Sequence, residues 1–176
     1  MYTDLEVRVS GLPSLMARSH DPADVLATSL DTILHDRSIC CGRNSALQDS
    51  VERADPLSLK DVASKLQGRH LLSDGRPITV TAEFWPLEAV DALRILNALK
   101  SKRALLIVWD SHLYVIDGMI YRWVQYSADN GPYTVIRKLR LLDTRYSDSQ
   151  REVEFNRETD DPGKVQGCLT VTWAPQ

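Results

Sequence analysis

The chain has 176 residues, 43% of them hydrophobic and 26% charged, with a formal net charge of −3. This length and composition are typical of a globular protein with one hydrophobic core, so we expect a single domain over 1–176. The slight acidic excess argues against a nucleic-acid partner. No apolar run approaches the roughly 20 residues that cross a bilayer, so no membrane-spanning segment is expected.

The weakly patterned segment 1–20 carries acidic residues early and no long apolar block. It therefore does not read as a signal peptide, which slightly favours a cytoplasmic location.

Helix signals dominate the N-terminal half of the chain. Asp21 is a candidate N-cap, and Pro22 would take the first helical position. Ser58 and Asp61 have the spacing of a capping box. Pro86 stands at the start of a further apolar-periodic run, which ends in basic residues. The predicted helices cover 21–36, 44–54, 58–68 and 86–102.

Strand signals dominate the C-terminal half. The nearly all-apolar run 104–110 is typical of a central strand buried on both faces. Asp117-Gly118 lies between two apolar runs and predicts a hairpin turn within 112–126. The predicted strands cover 77–85, 104–110, 112–126, 133–144, 151–155 and 168–173. Helices followed by a mostly antiparallel sheet define an α+β fold class.

The three cysteines are Cys40, Cys41 and Cys168. An odd count with two adjacent members does not form a disulfide framework, and the histidines and cysteines lack metal-site spacing. We therefore expect neither a metal nor another cofactor. Cys41 and Gly42 directly precede a predicted helix, whose N-terminus stabilises a thiolate and a developing oxyanion. Cys41 is the candidate nucleophile, and Cys40 is interpreted as a packing residue.

A thiolate nucleophile needs a general base, and the base needs an acceptor that orients it. His112 stands between two apolar runs, where a strand end presents an imidazole to a cleft. Asp143 ends the run "IRKLRLLD" and is the predicted orienting residue. Asp129 and Asn130, in the turn before that strand, are rival candidates.

Three segments resemble papain-like cysteine peptidases, and most closely the branch with the double-glycine leader peptidases of bacteriocin exporters. "CGRNSALQDSVERADPLSLKDVASKL" is similar to the nucleophile segment of that family, and "SHLYVIDGMIYRW" to its histidine segment. "LLDTRYS" resembles the aspartate segment, with Thr144 where the family often has proline. The similarity spans about 24–147. It implies a papain-like fold, with N-terminal helices packed on a mostly antiparallel C-terminal sheet.

The resemblance implies a hydrolase of peptide or related amide bonds, with a peptide or protein as substrate. Cys41 would attack the carbonyl, His112 would act as base and then acid, and Asp143 would hold the imidazole. The family usually has a glutamine six residues before the nucleophile, and His35 stands there in this chain. The resemblance thus implies that His35 faces the oxyanion together with the Cys41 N–H.

Two alternatives remain open from the sequence. The missing glutamine favours a catalytically inactive papain-like domain that binds a peptide or protein partner. A redox-sensing thiol pair, with Cys40 as the resolving partner of Cys41, is the less favoured reading, because a disulfide between adjacent cysteines is strained.

Overall fold

A computed structural model describes residues 3–34, 47–72, 74–86, 90–125, 133–146, 150–154 and 165–176. Its helices are α1 (Pro22–Leu34), α2 (Gln48–Glu52), α3 (Leu59–Leu66) and α4 (Ala92–Lys100). Its strands are β1 (Leu5–Arg8), β2 (Gly68–Leu71), β3 (Pro77–Pro86), β4 (Leu105–Trp109), β5 (His112–Val124), β6 (Tyr133–Leu142), β7 (Gln150–Glu154) and β8 (Val165–Pro175). The α+β fold class with a mostly antiparallel sheet is confirmed.

The described strands form one eight-stranded sheet in the order β2-β3-β8-β4-β5-β6-β7, with β1 paired to β5 outside this path. All of the described pairings are antiparallel. As predicted, β4 is a central strand, and the side chains from Leu105 to Val108 are buried. Apolar side chains from both strands and helices join it in one core.

Two helix starts are confirmed in atomic detail. The Asp21 carboxylate accepts from the Ala23 N–H at 2.9 Å, directly before the first turn of α1. The Ser58 hydroxyl accepts from the Asp61 N–H at 3.3 Å at the start of α3. Both side chains satisfy backbone donors that have no partner inside the helix.

The predicted start of the fourth helix at Pro86 is wrong. Pro86 is the last residue of β3, where it pairs with Gly167 of β8. The helix α4 begins after Asp91, whose carboxylate accepts from the Arg94 N–H at 2.6 Å. Pairing along the whole of β3 therefore extends the strand to the proline, and a later N-cap starts the helix.

The predicted hairpin turn at Asp117-Gly118 is also wrong, because β5 runs through both residues without interruption. The register against β6 shifts between Ile116 and Gly118, which marks a β-bulge. The tight turn lies earlier, between β4 and β5, at Asp110 and Ser111. Both of those residues have positive φ, at 48° and 60°.

Two short strands carry no clear signal in the sequence. Most side chains of β1 and half of those of β2 are exposed, so neither segment shows a strong apolar pattern. β1 pairs with the stretch of β5 from Gly118 to Tyr121. Within the described ranges, no helix is both long and apolar enough to cross a membrane.

Candidate functional site

The structure describes two of the predicted site residues, His112 and Asp143. Cys40, Cys41 and the predicted oxyanion residue His35 fall between α1 and α2, outside the described residues.

The rival orienting residues, Asp129 and Asn130, also lie outside the described part of the chain. The described part of the candidate site therefore consists of the His112 imidazole, the Asp143 carboxylate and the groups around them.

The sheet brings His112 and Asp143 to the same end of two neighbouring strands. His112 is the first residue of β5, and Asp143 directly follows the last residue of β6. The register pairs Val115 with Leu142. One step further along each antiparallel strand, Asp143 therefore reaches the level of Tyr114, two residues from His112.

A hydrogen bond to the preceding turn fixes the ring of His112. Its Nδ1 lies 2.7 Å from the backbone oxygen of Asp110. A carbonyl oxygen can only accept, so Nδ1 carries the proton and, in the neutral ring, Nε2 carries the lone pair. The positive φ values of Asp110 and Ser111 give the turn the tight shape that returns this carbonyl to the ring. Nε2 is thus the atom available for proton transfer.

The carboxylate of Asp143 is buried and bound by Arg145 on both oxygens. Nε of Arg145 donates to Oδ1 at 2.8 Å, Nη2 donates to Oδ2 at 2.6 Å, and its backbone N–H donates to Oδ1 at 3.1 Å. Burial by itself raises the pKa of Asp143, but the hydrogen bonds and charge of Arg145, with a smaller contribution from the charge of His112, hold that pKa below its usual value. Asp143 is therefore a carboxylate at neutral pH.

The buried ring of Tyr114 lies at the centre of this site. Its hydroxyl accepts from Nη2 of Arg145 at 3.4 Å. The guanidinium carbons of Arg145 and Arg151 lie 5.6 and 5.9 Å from the Tyr114 ring centroid, and the His112 ring centroid lies 6.5 Å from it. We call His112, Tyr114, Asp143, Arg145 and Arg151 the Tyr114 cluster.

Three members of the Tyr114 cluster were missed by the sequence reasoning. Arg145 had a local signal, because it follows the candidate aspartate by two residues. Arg151 had none, since it reaches the cluster through the pairing of β7 with β6, in which it faces Leu141. The meeting of Tyr114 with both arginines depends on register, which the sequence pattern does not give.

A groove of about 470 Å³ lies between the N-terminal segment, α1 and α2. Leu15 and Met16, both partly exposed, form part of one wall. Ala17 directly follows Met16, and its backbone N–H donates to the Thr144 carbonyl at 2.7 Å. The Thr144 hydroxyl lies 3.0 Å from that of Ser29 on α1. The groove wall is thus anchored to the residue that follows Asp143.

The third cysteine, Cys168, is shielded from solvent in the folded chain. Its side chain is buried in β8, and burial raises the pKa of its thiol to about 12. Within the described residues, no group of three or more His, Cys, Asp or Glu side chains is placed to hold a metal ion.

Neither a protein-family model, nor a curated protein, nor a solved structure matches this chain. Fold and site together define the class of the protein. It is an α+β protein in which the Tyr114 ring is surrounded by the His112 imidazole, the buried Asp143 carboxylate and the guanidinium groups of Arg145 and Arg151.

Proposed function

We propose that the chain is a papain-like cysteine hydrolase that cleaves a peptide or related amide bond. The observation that carries the proposal is the position of His112 and Asp143 at the same end of paired strands. The order of the residues along the chain, with Cys41 before a helical segment, adds support. The described geometry leaves Nε2 of His112 to act as the proton acceptor.

In the proposed reaction, the sulfur of Cys41 bonds to the amide carbon while His112 holds the thiol proton. Collapse of the oxyanion breaks the carbon–nitrogen bond, and His112 gives its proton to the leaving amine. Water then attacks the thioester, loses a proton to His112 and releases the acid and the thiol. His35 and the Cys41 N–H are the proposed oxyanion donors, and Asp143 stabilises the imidazolium.

Alkylation with iodoacetamide tests the nucleophile without knowledge of the substrate. We expect Cys41 to be alkylated at pH 5.5 at least about tenfold faster than a model thiol, because an activated thiol has a pKa well below the usual value of about 8.5. Mass spectrometry of the digested chain assigns the label. His112→Ala should slow the reaction by about tenfold, since it removes the cationic partner of the thiolate.

The chain contains matched controls for this experiment. Cys40→Ser should leave the fast reaction intact, and Cys41→Ser should abolish it. Cys168 should remain unlabelled in the folded chain and become labelled in urea, because burial keeps its thiol neutral. The hydrolase proposal fails if neither Cys40 nor Cys41 reacts faster than the model thiol.

A second candidate function is peptide binding by an inactive domain of the same kind. The observation in its favour is that the hydrogen bond from Nδ1 of His112 goes to the Asp110 carbonyl, while the Asp143 carboxylate binds Arg145. A catalytic triad would instead use the carboxylate to orient the imidazole. The groove between the N-terminal segment, α1 and α2 has a volume suited to a short peptide segment.

Incubation with a mixed peptide library separates the two functions. A hydrolase creates new peptide termini, which disappear with Cys41→Ser. A binding domain retains peptides on the immobilised chain without creating termini, and Met16→Asp in the groove wall should then reduce retention. New peptide termini that depend on Cys41 would exclude a catalytically inactive binding domain.

A further inference from the structure

We propose that Arg151, beside Arg145 on the ring of Tyr114, forms a subsite for a carboxylate group of the ligand. The inference builds on the proposed function, because it assigns this subsite to the substrate of the same cleft. It names a substrate class, which is a peptide with a carboxylate close to the bond presented to His112.

Register explains why two arginines meet at one ring. Arg151 pairs with Leu141 of β6, and Leu141 pairs with Ile116 of β5. Directly paired residues project from the same face of a sheet, and Tyr114 shares that face with Ile116 because it lies two residues away. Arg145 reaches the same ring from the segment after β6. The buried phenol is therefore a fixed platform for both guanidinium groups.

Among the described residues, the charges around the Tyr114 ring do not balance. Arg145 is satisfied by the two oxygens of Asp143. The side chain of Arg151 is exposed, lies against the Tyr114 ring, and forms no hydrogen bond or ion pair with a described residue. The neighbouring Glu152 is bonded to Lys138 at 3.3 Å, and strand alternation directs it to the opposite face. Of the two guanidinium groups at the ring, only that of Arg145 is paired with a carboxylate of a described residue, and the positive charge of Arg151 lies on the edge strand β7.

A carboxylate is the ligand that fits this arrangement. A guanidinium that lies against an aromatic ring keeps its planar array of N–H donors, and this array matches the two oxygens of a carboxylate. The Arg151 guanidinium carbon lies 5.9 Å and the His112 ring centroid 6.5 Å from the same Tyr114 ring centroid, so the two are at most about 12 Å apart. Because a peptide advances about 3.3–3.6 Å per residue, a carboxylate at Arg151 lies within about four residues of a bond held at His112.

Binding of four short peptides to the Cys41→Ala chain tests the proposal without turnover. One pair is acetyl-Ala-Ala-Glu-Ala-amide and its Gln counterpart, which tests a side-chain carboxylate. The other pair is acetyl-tetra-alanine with a free or an amidated C-terminus, which tests an α-carboxylate. We expect at least one acidic peptide to bind about tenfold more tightly than its neutral partner, with Kd measured by NMR titration.

Variants assign the effect to the guanidinium. Arg151→Gln should remove the tenfold preference, and Arg151→Lys should retain only part of it, because a lysine keeps the charge and loses the planar array. Lys138→Gln, on the neighbouring strand, should leave the preference unchanged. The proposal is overturned if no acidic peptide is preferred, or if the preference persists in a folded Arg151→Gln chain.

The failure of this proposal is distinguishable from that of the proposed function. If Cys41 has an activated thiol but the chain shows no preference for acidic peptides, the subsite is excluded and the hydrolase proposal stands. A preference that depends on Arg151 in a chain without an activated thiol would support the subsite, and would exclude only hydrolysis.

Discussion

Two aspartate–arginine pairs lie at different places along β5 and β6: an inner pair, Asp117 with Arg140, within the strands, and an outer pair, Asp143 with Arg145, directly after β6. Asp117 and Arg140 come from two strands, are both buried, and have N–O distances of 3.3 and 3.4 Å. Asp143 and Arg145 are two residues apart at the strand end, with closer distances of 2.8 and 2.6 Å. The first pair joins strands inside the sheet, and the second holds a carboxylate beside His112.

The inner pair supports an irregular stretch of the sheet. Asp117 lies at the β-bulge, and Arg140 also donates to Gln150 of β7 at 2.5 Å. A Cβ at Gly118 would lie 3.0 Å from Cδ of Arg140 and 3.0 Å from the Val7 carbonyl oxygen. The Arg140 guanidinium therefore links β5, β6 and β7 at the bulge, and Gly118 leaves room for the Arg140 side chain and for the backbone of β1.

The largest effect is expected from breaking the inner pair. Arg140→Met leaves the buried Asp117 carboxylate without its counter-ion, which should lower the free energy of unfolding by about 3–5 kcal/mol. Urea unfolding at pH 7 measures this change. The double variant Arg140→Met with Asp117→Asn should recover more than half of the loss, because it removes the uncompensated charge. A loss below about 1 kcal/mol in the single variant would contradict a structural role for this pair.

The contrast between a pair formed across two strands and a pair formed within one segment also explains which features could be predicted from the sequence. The helix starts at Asp21 and Ser58, the central strand and the α+β class follow from local spacing, and structure and prediction agree there. Asp117-Gly118 has the local signal of a turn, but a partner at Arg140, which is distant in sequence, holds Asp117 in a continuous strand. Local pattern cannot reveal such a partner, because the pairing of β5 with β6 creates it.

In the candidate site, too, some residues were predictable from the local sequence and others were not. His112 and Asp143 were predicted as base and orienting residue at the ends of apolar runs, and the structure places them at the same end of two neighbouring strands. Tyr114, Arg145 and Arg151 were missed, since they meet through strand register and a cation–π geometry that a single sequence does not display. The roles of Cys41 and His35 remain predictions.

A smaller effect is expected from breaking the outer pair in the same way. Arg145→Met removes the counter-ion of Asp143, but that carboxylate lies at the end of the sheet and keeps a backbone N–H at 3.1 Å. We expect a loss of about 1–2 kcal/mol in urea unfolding at pH 7, less than for Arg140→Met. Equal losses in the two methionine variants would remove the proposed distinction between an inner structural pair and an outer pair at the site.

The smallest effect is the pH dependence of the outer pair. The pKa of Asp143 is lowered in the folded chain relative to about 3.9 in the unfolded chain. The unfolded state therefore binds more protons at acidic pH, so the stability that Asp143 contributes is complete above about pH 5 and declines as the pH falls through its folded pKa. The loss in free energy of unfolding caused by Arg145→Met should accordingly shrink between pH 5 and pH 2, because a protonated Asp143 no longer attracts Arg145.

Urea unfolding of the unaltered and the Arg145→Met chains across this pH range measures the change, with Lys138→Gln as the control variant of an exposed pair. A loss that stays constant down to pH 2 would show that Arg145 stabilises the fold by packing against Tyr114 rather than by its charge.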